Sequence, residues 1–112
     1  MRNVLRAKSS DGTSSYSVEF NWDGNRLEVF CDCRAGALGQ HCRHKEGLIR
    51  GDHSLLSDSI DGPVLNEVVS WVRLSPVGTA LTQWREAEER LKAAQVAVKA
   101  AKKSLENAMR PS

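Results

Sequence analysis

Four residues in the first half of the chain have the types and spacing of metal ligands: Cys31, Cys33, Cys42 and His44. One residue lies between the members of each pair, and eight residues separate the pairs. Zinc in structural sites is held tetrahedrally by four thiolate or imidazole ligands, with no position left for a substrate. The spacing therefore predicts one structural Zn²⁺ per chain rather than a catalytic centre.

Other interpretations of these residues stay open. The cysteines can be ordinary buried side chains beside an incidental histidine. His41 can replace His44 as the fourth ligand, although it directly precedes Cys42 and the chain must fold back to reach the same ion. Catalysis by Cys42 with a histidine needs an orienting group and a substrate cleft, and nothing in the sequence indicates either. We assign no catalytic or cofactor-binding residue, and we interpret His53 as an ordinary surface residue.

The ligand order resembles the SWIM-type zinc finger, whose pattern is Cys-x-Cys, a short variable gap and Cys-x-His. In that family a β-hairpin precedes the first pair and a helix carries the second pair. The resemblance implies the same fold here and a finger that binds DNA or another protein. It covers about residues 14–50, and it is carried by Tyr16-Ser17-Val18-Glu19-Phe20, Cys31-Asp32-Cys33, His41-Cys42-Arg43-His44 and Leu48-Ile49.

Composition and cysteine count limit the class of protein. The 112 residues are 40% hydrophobic and 27% charged, which is typical of a folded soluble domain. No stretch approaches the roughly 18 apolar residues of a membrane span, and the first residues lack the apolar run of a secretory signal. Three cysteines fit a disulfide framework poorly because the number is odd. We expect a cytoplasmic chain, or a nuclear one in a eukaryote, with no membrane contact and no small-molecule substrate.

The residues before the first cysteine pair predict the strands that position it. Apolar and aromatic residues at every second position from Tyr16 to Trp22 have the period of a half-buried strand. Asp23-Gly24-Asn25 predicts a tight turn because glycine tolerates positive φ. The alternation resumes from Leu27 and leads directly into Cys31, and residues 2–8 predict an additional edge strand.

The chain after the first cysteine pair predicts helices and connections. We expect a loop over 34–40, a short helix over 41–49 and a connector with about one helical turn near Leu55. A helix over 63–74, started by proline in its first turn, ends before Ser75-Pro76.

Two tryptophans need separate interpretation. Trp71 falls beside the valine face of the 63–74 helix and extends it. Trp22, just before the turn, either packs in the core, as tryptophan usually does, or forms an exposed contact.

A last helix from Thr79 to about Met109 carries a heptad pattern. Large residues recur every seven positions, and an alanine follows each one three residues later. Such a and d positions are typical of a coiled-coil seam, and alanine lets two helix axes approach closely. The large residues are Trp84, Leu91, Val98 and Leu105, and the alanines are Ala87, Ala94, Ala101 and Ala108.

Self-association through this helix is the favoured prediction, and the charges agree with antiparallel pairing. Glutamates cluster near the start of the helix and lysines near its end, so antiparallel copies place opposite charges side by side. The pairing direction itself stays open. A coiled-coil contact with a different protein and packing against the rest of the chain are the alternatives. The 63–74 helix, about 18 Å long, cannot cover a helix of about 45 Å.

The sequence thus predicts an α+β protein in three parts: a zinc finger with a β-hairpin over 1–52, a connector and short helix over 53–78, and a long amphipathic helix over 79–110. Residues 1–60 carry eight basic and eight acidic side chains, so no surplus charge favours nucleic acid. We expect a non-enzymatic module, adaptor-like or inhibitor-like, that binds a protein partner and forms homodimers through the long helix. Zinc-dependent DNA binding is the alternative.

Overall fold

Three antiparallel strands in the order β1-β2-β3 form the only sheet in residues 1–111, the part of the chain that this computed structural model describes. Four α-helices follow the strands, so the predicted α+β class is confirmed. The strands are β1 (Arg2–Lys8), β2 (Ser15–Trp22) and β3 (Leu27–Cys31), and the helices are α1 (Arg34–Ala37), α2 (Arg43–Ile49), α3 (Gly62–Leu74) and α4 (Pro76–Met109).

The turn between β2 and β3 forms as its sequence predicts. Gly24 has a φ of 99°, which is unstrained only for glycine. The Asp23 carboxylate accepts hydrogen bonds from the backbone amides of Asn25 and Arg26 at 2.8 and 2.7 Å. The turn fixes the register of the two strands, and the register in turn places Cys31 opposite Val18.

One face of the sheet contributes to the core of the first half of the chain. Leu5 pairs with Val18 in the β1–β2 register, so Cys31 ends a buried row that crosses all three strands. Trp22 is buried, which confirms the interpretation that it packs in the core and excludes the alternative of an exposed contact. The buried residues of α3, which contacts β1 and α2, are Gly62, Leu65, Val68, Trp71 and Val72.

β1 is the edge strand predicted over residues 2–8, and the connector covers part of its outer edge. The Ser57 amide donates to the Arg6 carbonyl at 2.9 Å, and Leu56 pairs with Ala7. A single 3-10 turn at His53–Leu55 precedes this contact, close to the helical turn that the sequence predicts. An exposed strand edge invites pairing with other chains, and the connector blocks part of this one.

Two predictions around the second cysteine pair need correction. Residues 34–40 are not all loop, because Arg34–Ala37 forms one helical turn. The next helix begins at Arg43 rather than at residue 41. Cys42 has φ −134° and ψ 148° and is its N-cap, so His41 lies outside the helix.

The long helix also begins earlier than predicted, at Pro76 instead of Thr79. Proline suits the first turn of a helix because its missing N–H would have no helical partner there. Only Ser75, which is extended at ψ 164°, separates α3 from α4. Gly78 permits this tight junction, since a Cβ there would collide with the Val72 carbonyl.

The chain divides into two compact units, Met1–Thr79 and a second unit that begins at Ala80. The second unit is the greater part of α4, and its large seam residues are exposed: Trp84, Leu91, Val98 and Leu105. The three-part division of the chain stays a prediction. Within residues 1–111, no helix has the length and apolar content needed to cross a membrane.

Candidate metal centre

Cys31 and Cys33 are held by the end of β3. Residues two apart on an extended chain point to the same side, so both thiols can face one ion. Asp32 between them stays paired with β2: its amide donates to the Ser17 carbonyl at 3.1 Å. Its carboxylate accepts from the Ser17 amide at 2.8 Å. These two bonds keep the chain extended across the cysteine pair.

The one-turn helix α1 turns the chain away directly after Cys33. The Cys33 sulfur is its N-cap and accepts a hydrogen bond from the Gly36 amide at 3.3 Å. Gly36 packs so closely on Cys31 that a Cβ at this position would collide with the Cys31 carbonyl oxygen. A larger residue at position 36 therefore cannot be added without moving the first cysteine pair.

Cys42 and His44 belong to the start of α2. The Cys42 sulfur is the N-cap of this helix and accepts from the Lys45 amide at 3.3 Å. Hydrogen bonds to sulfur from helix N-terminal amides stabilise the thiolate. His44 and Leu48 are the buried residues of α2, so the helix face that packs inward is also the face that carries the histidine.

The four side chains converge on one point. One ligand atom from each of Cys31, Cys33, Cys42 and His44 lies within 4.8 Å of the other three, and all four residues are buried. Around a tetrahedral zinc ion, ligand atoms are about 3.5–3.8 Å apart for the usual metal–ligand bond lengths. The Cys31 Sγ and His44 Nδ1 already lie 3.9 Å apart. The four residues are therefore positioned to coordinate one metal ion.

The imidazole of His44 has the environment of a metal ligand. Its Nε2 is buried without a hydrogen-bond partner, and its ring packs against Tyr16 with centroids 4.9 Å apart. Burial, and to a lesser degree the charge of Arg43, lower its pKa, whereas the Lys8 backbone and Asp32 act in the opposite direction. The neutral imidazole, which is the form that binds metal, is therefore the favoured one.

The thiols differ in how readily they lose a proton. Burial raises the pKa of Cys31 to about 12. Burial also acts on Cys33, but hydrogen bonds from the Gly36 and Ala35 amides and from the two other thiols outweigh it and lower the pKa of Cys33. A cation in the cluster would favour deprotonation of all three thiols.

The other histidines lie elsewhere. His41 is exposed and pairs with Glu46 at 2.9 Å through its Nε2, and it is absent from the cluster formed within residues 1–111. His53 is exposed, and its Nε2 lies 3.0 Å from the Asn66 Oδ1. No sequence signal identified Tyr16 as the aromatic neighbour of His44. The glycine at position 36, three residues after Cys33, was the sequence signal for the tight turn there.

Comparison of the chain with protein families, with curated proteins and with solved structures finds no match.

Proposed function

We propose that this chain is a non-enzymatic zinc-binding module of the SWIM type that acts by binding another protein and is assembled through α4. The observation that carries the proposal is the buried cluster of Cys31, Cys33, Cys42 and His44. Three thiolates and one imidazole suit zinc among the common metals. Because four protein ligands fill a tetrahedral site, the ion stabilises the fold and performs no chemistry, as an adaptor or inhibitor requires.

Elemental analysis of the purified chain tests the zinc assignment. We expect one zinc ion per chain in the wild type and none in Cys42→Ser. The matched control is Ser10→Ala, which removes an exposed hydroxyl that Arg43 contacts at 3.1 Å and should leave the zinc content unchanged. A folded wild-type chain that takes up no zinc when it is supplied would contradict the proposal.

Two features of the first unit support a protein partner. Phe30 and Val4 are half exposed on the outer sheet face, and both pair with Glu19 of the central strand, so they flank one acidic residue. The balance of charges also favours a protein partner, because basic side chains are paired with acidic ones. Arg2 forms an ion pair with Glu19, and Arg50 forms one with Glu46. A mixed apolar and charged face is typical of protein interfaces.

Assembly through α4 is supported by its exposed apolar positions. Leu91 is 59% exposed and Val98 is 54% exposed, and an exposed apolar surface of this length is typical of an interface. We expect wild-type chains to form dimers and Leu91→Glu to dissociate them, as measured by light scattering. Val96→Glu is the matched control, because Val96 is also exposed but lies on the opposite side of the helix. A monomeric wild type would contradict assembly.

Nucleic-acid binding is the alternative function. Arg34 and Arg43 are exposed on the two helices that carry Cys33 and Cys42, which places two cations near the metal site. A salt titration separates the alternatives: we expect no DNA affinity at about 100 mM salt, because phosphate binding needs surplus positive charge. Tight DNA binding that weakens steeply with salt would favour the alternative.

A further inference from the structure

The α4 seam has a regular alternation of size. Each large residue is followed three positions later by an alanine, and all eight positions are exposed. The exposed fraction is 39% for Trp84 and 59% for Leu105. The pairing that this alternation favours rests on the proposed assembly through α4 and specifies its direction and register.

Size matching depends on the direction of pairing. In a parallel pair each seam position faces its own copy, so large residues meet large residues and alanines meet alanines. A helix separation wide enough for a layer of two large residues is then too wide for the next layer of two alanines. In an antiparallel pair, a positions face d positions, so every large residue meets an alanine. All layers then have the same width, which permits close packing along the whole seam.

Size matching also indicates a register. When Trp84 faces the partner's Ala108, the eight seam positions pair only with one another. Leu91 then faces the partner's Ala101, and Val98 faces the partner's Ala94. The two-fold axis then crosses the seam midway between Ala94 and Val98.

Charges beside the seam select the same register. In an antiparallel pair the e positions of the two helices flank one another, and their charges set orientation. Here the e positions are Glu88, Gln95 and Lys102. In this register Glu88 lies beside the partner's Lys102, and the pair occurs twice. A shift by one heptad would move Glu88 beside Gln95 or Met109 instead.

The parallel arrangement offers no such pairs. There the e positions face the g positions, which are Arg90, Ala97 and Ser104. Arg90 would face Gln95, and Lys102 would face Ala97. Neither contact joins opposite charges, so size and charge both favour the antiparallel direction.

We propose that α4 binds a second copy of this chain as a symmetric antiparallel coiled coil, in the register that pairs Trp84 with the partner's Ala108 and Glu88 with the partner's Lys102. The dimer is closed, because the same surface is used on both copies and no seam remains for a third. The finger units are carried at opposite ends of the paired helices.

Complementary charge reversal tests the register on full-length, zinc-loaded chains. Glu88→Lys alone places lysine beside lysine twice, and Lys102→Glu alone places glutamate beside glutamate twice. We expect each variant to weaken self-association by roughly tenfold, the scale of two exposed charge contacts reversed in sign. Mixing the two variants restores both opposite-charge pairs, so heterodimers should predominate over both homodimers.

Native mass spectrometry measures the distribution after one chain is labelled with ¹⁵N, since the two substitutions change the mass very little. The control is a mixture of Glu89→Lys with Lys103→Glu, which reverses the same charges on the outer side of α4. This mixture should give about half heterodimer, the statistical result for equal affinities. Circular dichroism verifies that all four variants keep α4 helical.

Two results would overturn the proposal, and they are distinguishable. Wild-type chains that stay monomeric would remove assembly by self-pairing, and with it this register, leaving α4 to a different protein. Wild-type dimers with a statistical mixture of Glu88→Lys and Lys102→Glu chains would leave assembly standing and remove only the register. Heterodimer enrichment in the test mixture alone would support the proposal.

Discussion

At the scale of single residues, the four candidate ligands differ in their hydrogen bonds, in their burial and in how their surroundings shift their pKa. Cys33 and Cys42 each cap a helix and accept an amide hydrogen bond. Cys31 has its sulfur in the buried end of a strand, where burial raises its pKa to about 12. His44, whose lowered pKa favours the neutral ring, packs beside the tilted ring of Tyr16. The lowered pKa of Cys33 favours its thiolate before an ion binds, whereas Cys31 would need the ion itself to lose its proton.

Substituting His44 and His41 one at a time tests which of the two histidines is the metal ligand. We expect His44→Ala to weaken zinc affinity by more than about a hundredfold, since loss of a direct ligand should exceed the effect of losing a supporting partner. His41→Ala is the control and should keep wild-type affinity, because its imidazole is 65% exposed. Competition with a colorimetric chelator measures both. The reverse order of effects would assign His41 to the site.

Zinc binding should release protons from the cluster, including one from Cys31. At pH 7 its thiol is protonated in the metal-free chain, since its pKa is about 12, and the ion must displace that proton. His44 contributes none, because its lowered pKa keeps it neutral. Apparent zinc affinity therefore falls as the pH falls. Calorimetry in buffers of different ionisation enthalpy counts the protons, and a count of zero would contradict this account.

The lowered pKa of His44 also makes the stability of the metal-free chain depend on pH. A depressed histidine pKa means that folding favours the neutral ring. This contribution is present above the ordinary value of 6.5 and is lost as the pH falls through the lower folded value. Acid therefore destabilises the metal-free chain and weakens zinc binding together, and both effects act in the same direction.

At the scale of elements, two very short helices complete the candidate metal site. α1 has four residues and α2 has seven, too few to be stable alone in water. Each is started by a cysteine sulfur that receives an amide hydrogen bond. The same atoms therefore cap the helices and belong to the cluster, so a bound metal ion would stabilise both helices.

Gly36→Ala tests the tight turn at α1. An added methyl group would collide with the Cys31 carbonyl, and overpacking of this kind costs about 1–3 kcal/mol. We expect a loss of stability in that range and weaker zinc binding, measured by chemical denaturation and metal competition. Leu38→Ala in the same turn is the control, since Leu38 is 66% exposed. Equal effects of the two substitutions would show that the turn tolerates a side chain.

At the scale of the whole molecule, the two units carry different parts of the proposed function. The Met1–Thr79 unit contains the sheet and the metal cluster, and the unit from Ala80 contains the exposed seam. In the first unit, Cys31 is continuous with the buried row of Leu5 and Val18. Loss of the ion should therefore disturb the core of that unit rather than only a surface loop.

Hydrogen exchange before and after chelation measures how far this disturbance extends. We expect amide protection to fall in β3 and α2, which carry Cys31, Cys42 and His44, and in β2, which pairs with β3, because structural zinc contributes directly to folding free energy. Cys42→Ser serves as the control, since a chain without zinc should show low protection that chelator does not change. Unaltered protection in metal-depleted wild type would contradict a structural role.

The local features of this protein could be predicted from the amino-acid sequence alone. The alternation from Tyr16 to Trp22, the turn at Gly24 and the proline near the start of α3 each depend on neighbours a few residues apart, so local physics was enough to predict them. The set of four candidate ligands followed from residue type and spacing alone. The heptad of α4 followed in the same way from a repeat within one helix.

Features that depend on contacts between distant parts of the chain became visible only in the folded structure. Trp22 is buried, α1 forms within a glycine-rich loop and Ser75 alone separates α3 from α4, and the surroundings impose each of these outcomes. The convergence of Cys31 with His44 needs the β2–β3 register and the cap of α2 together. Spacing can propose ligands, but only the fold brings their atoms within 4.8 Å, because that distance is set by packing between elements far apart in the chain.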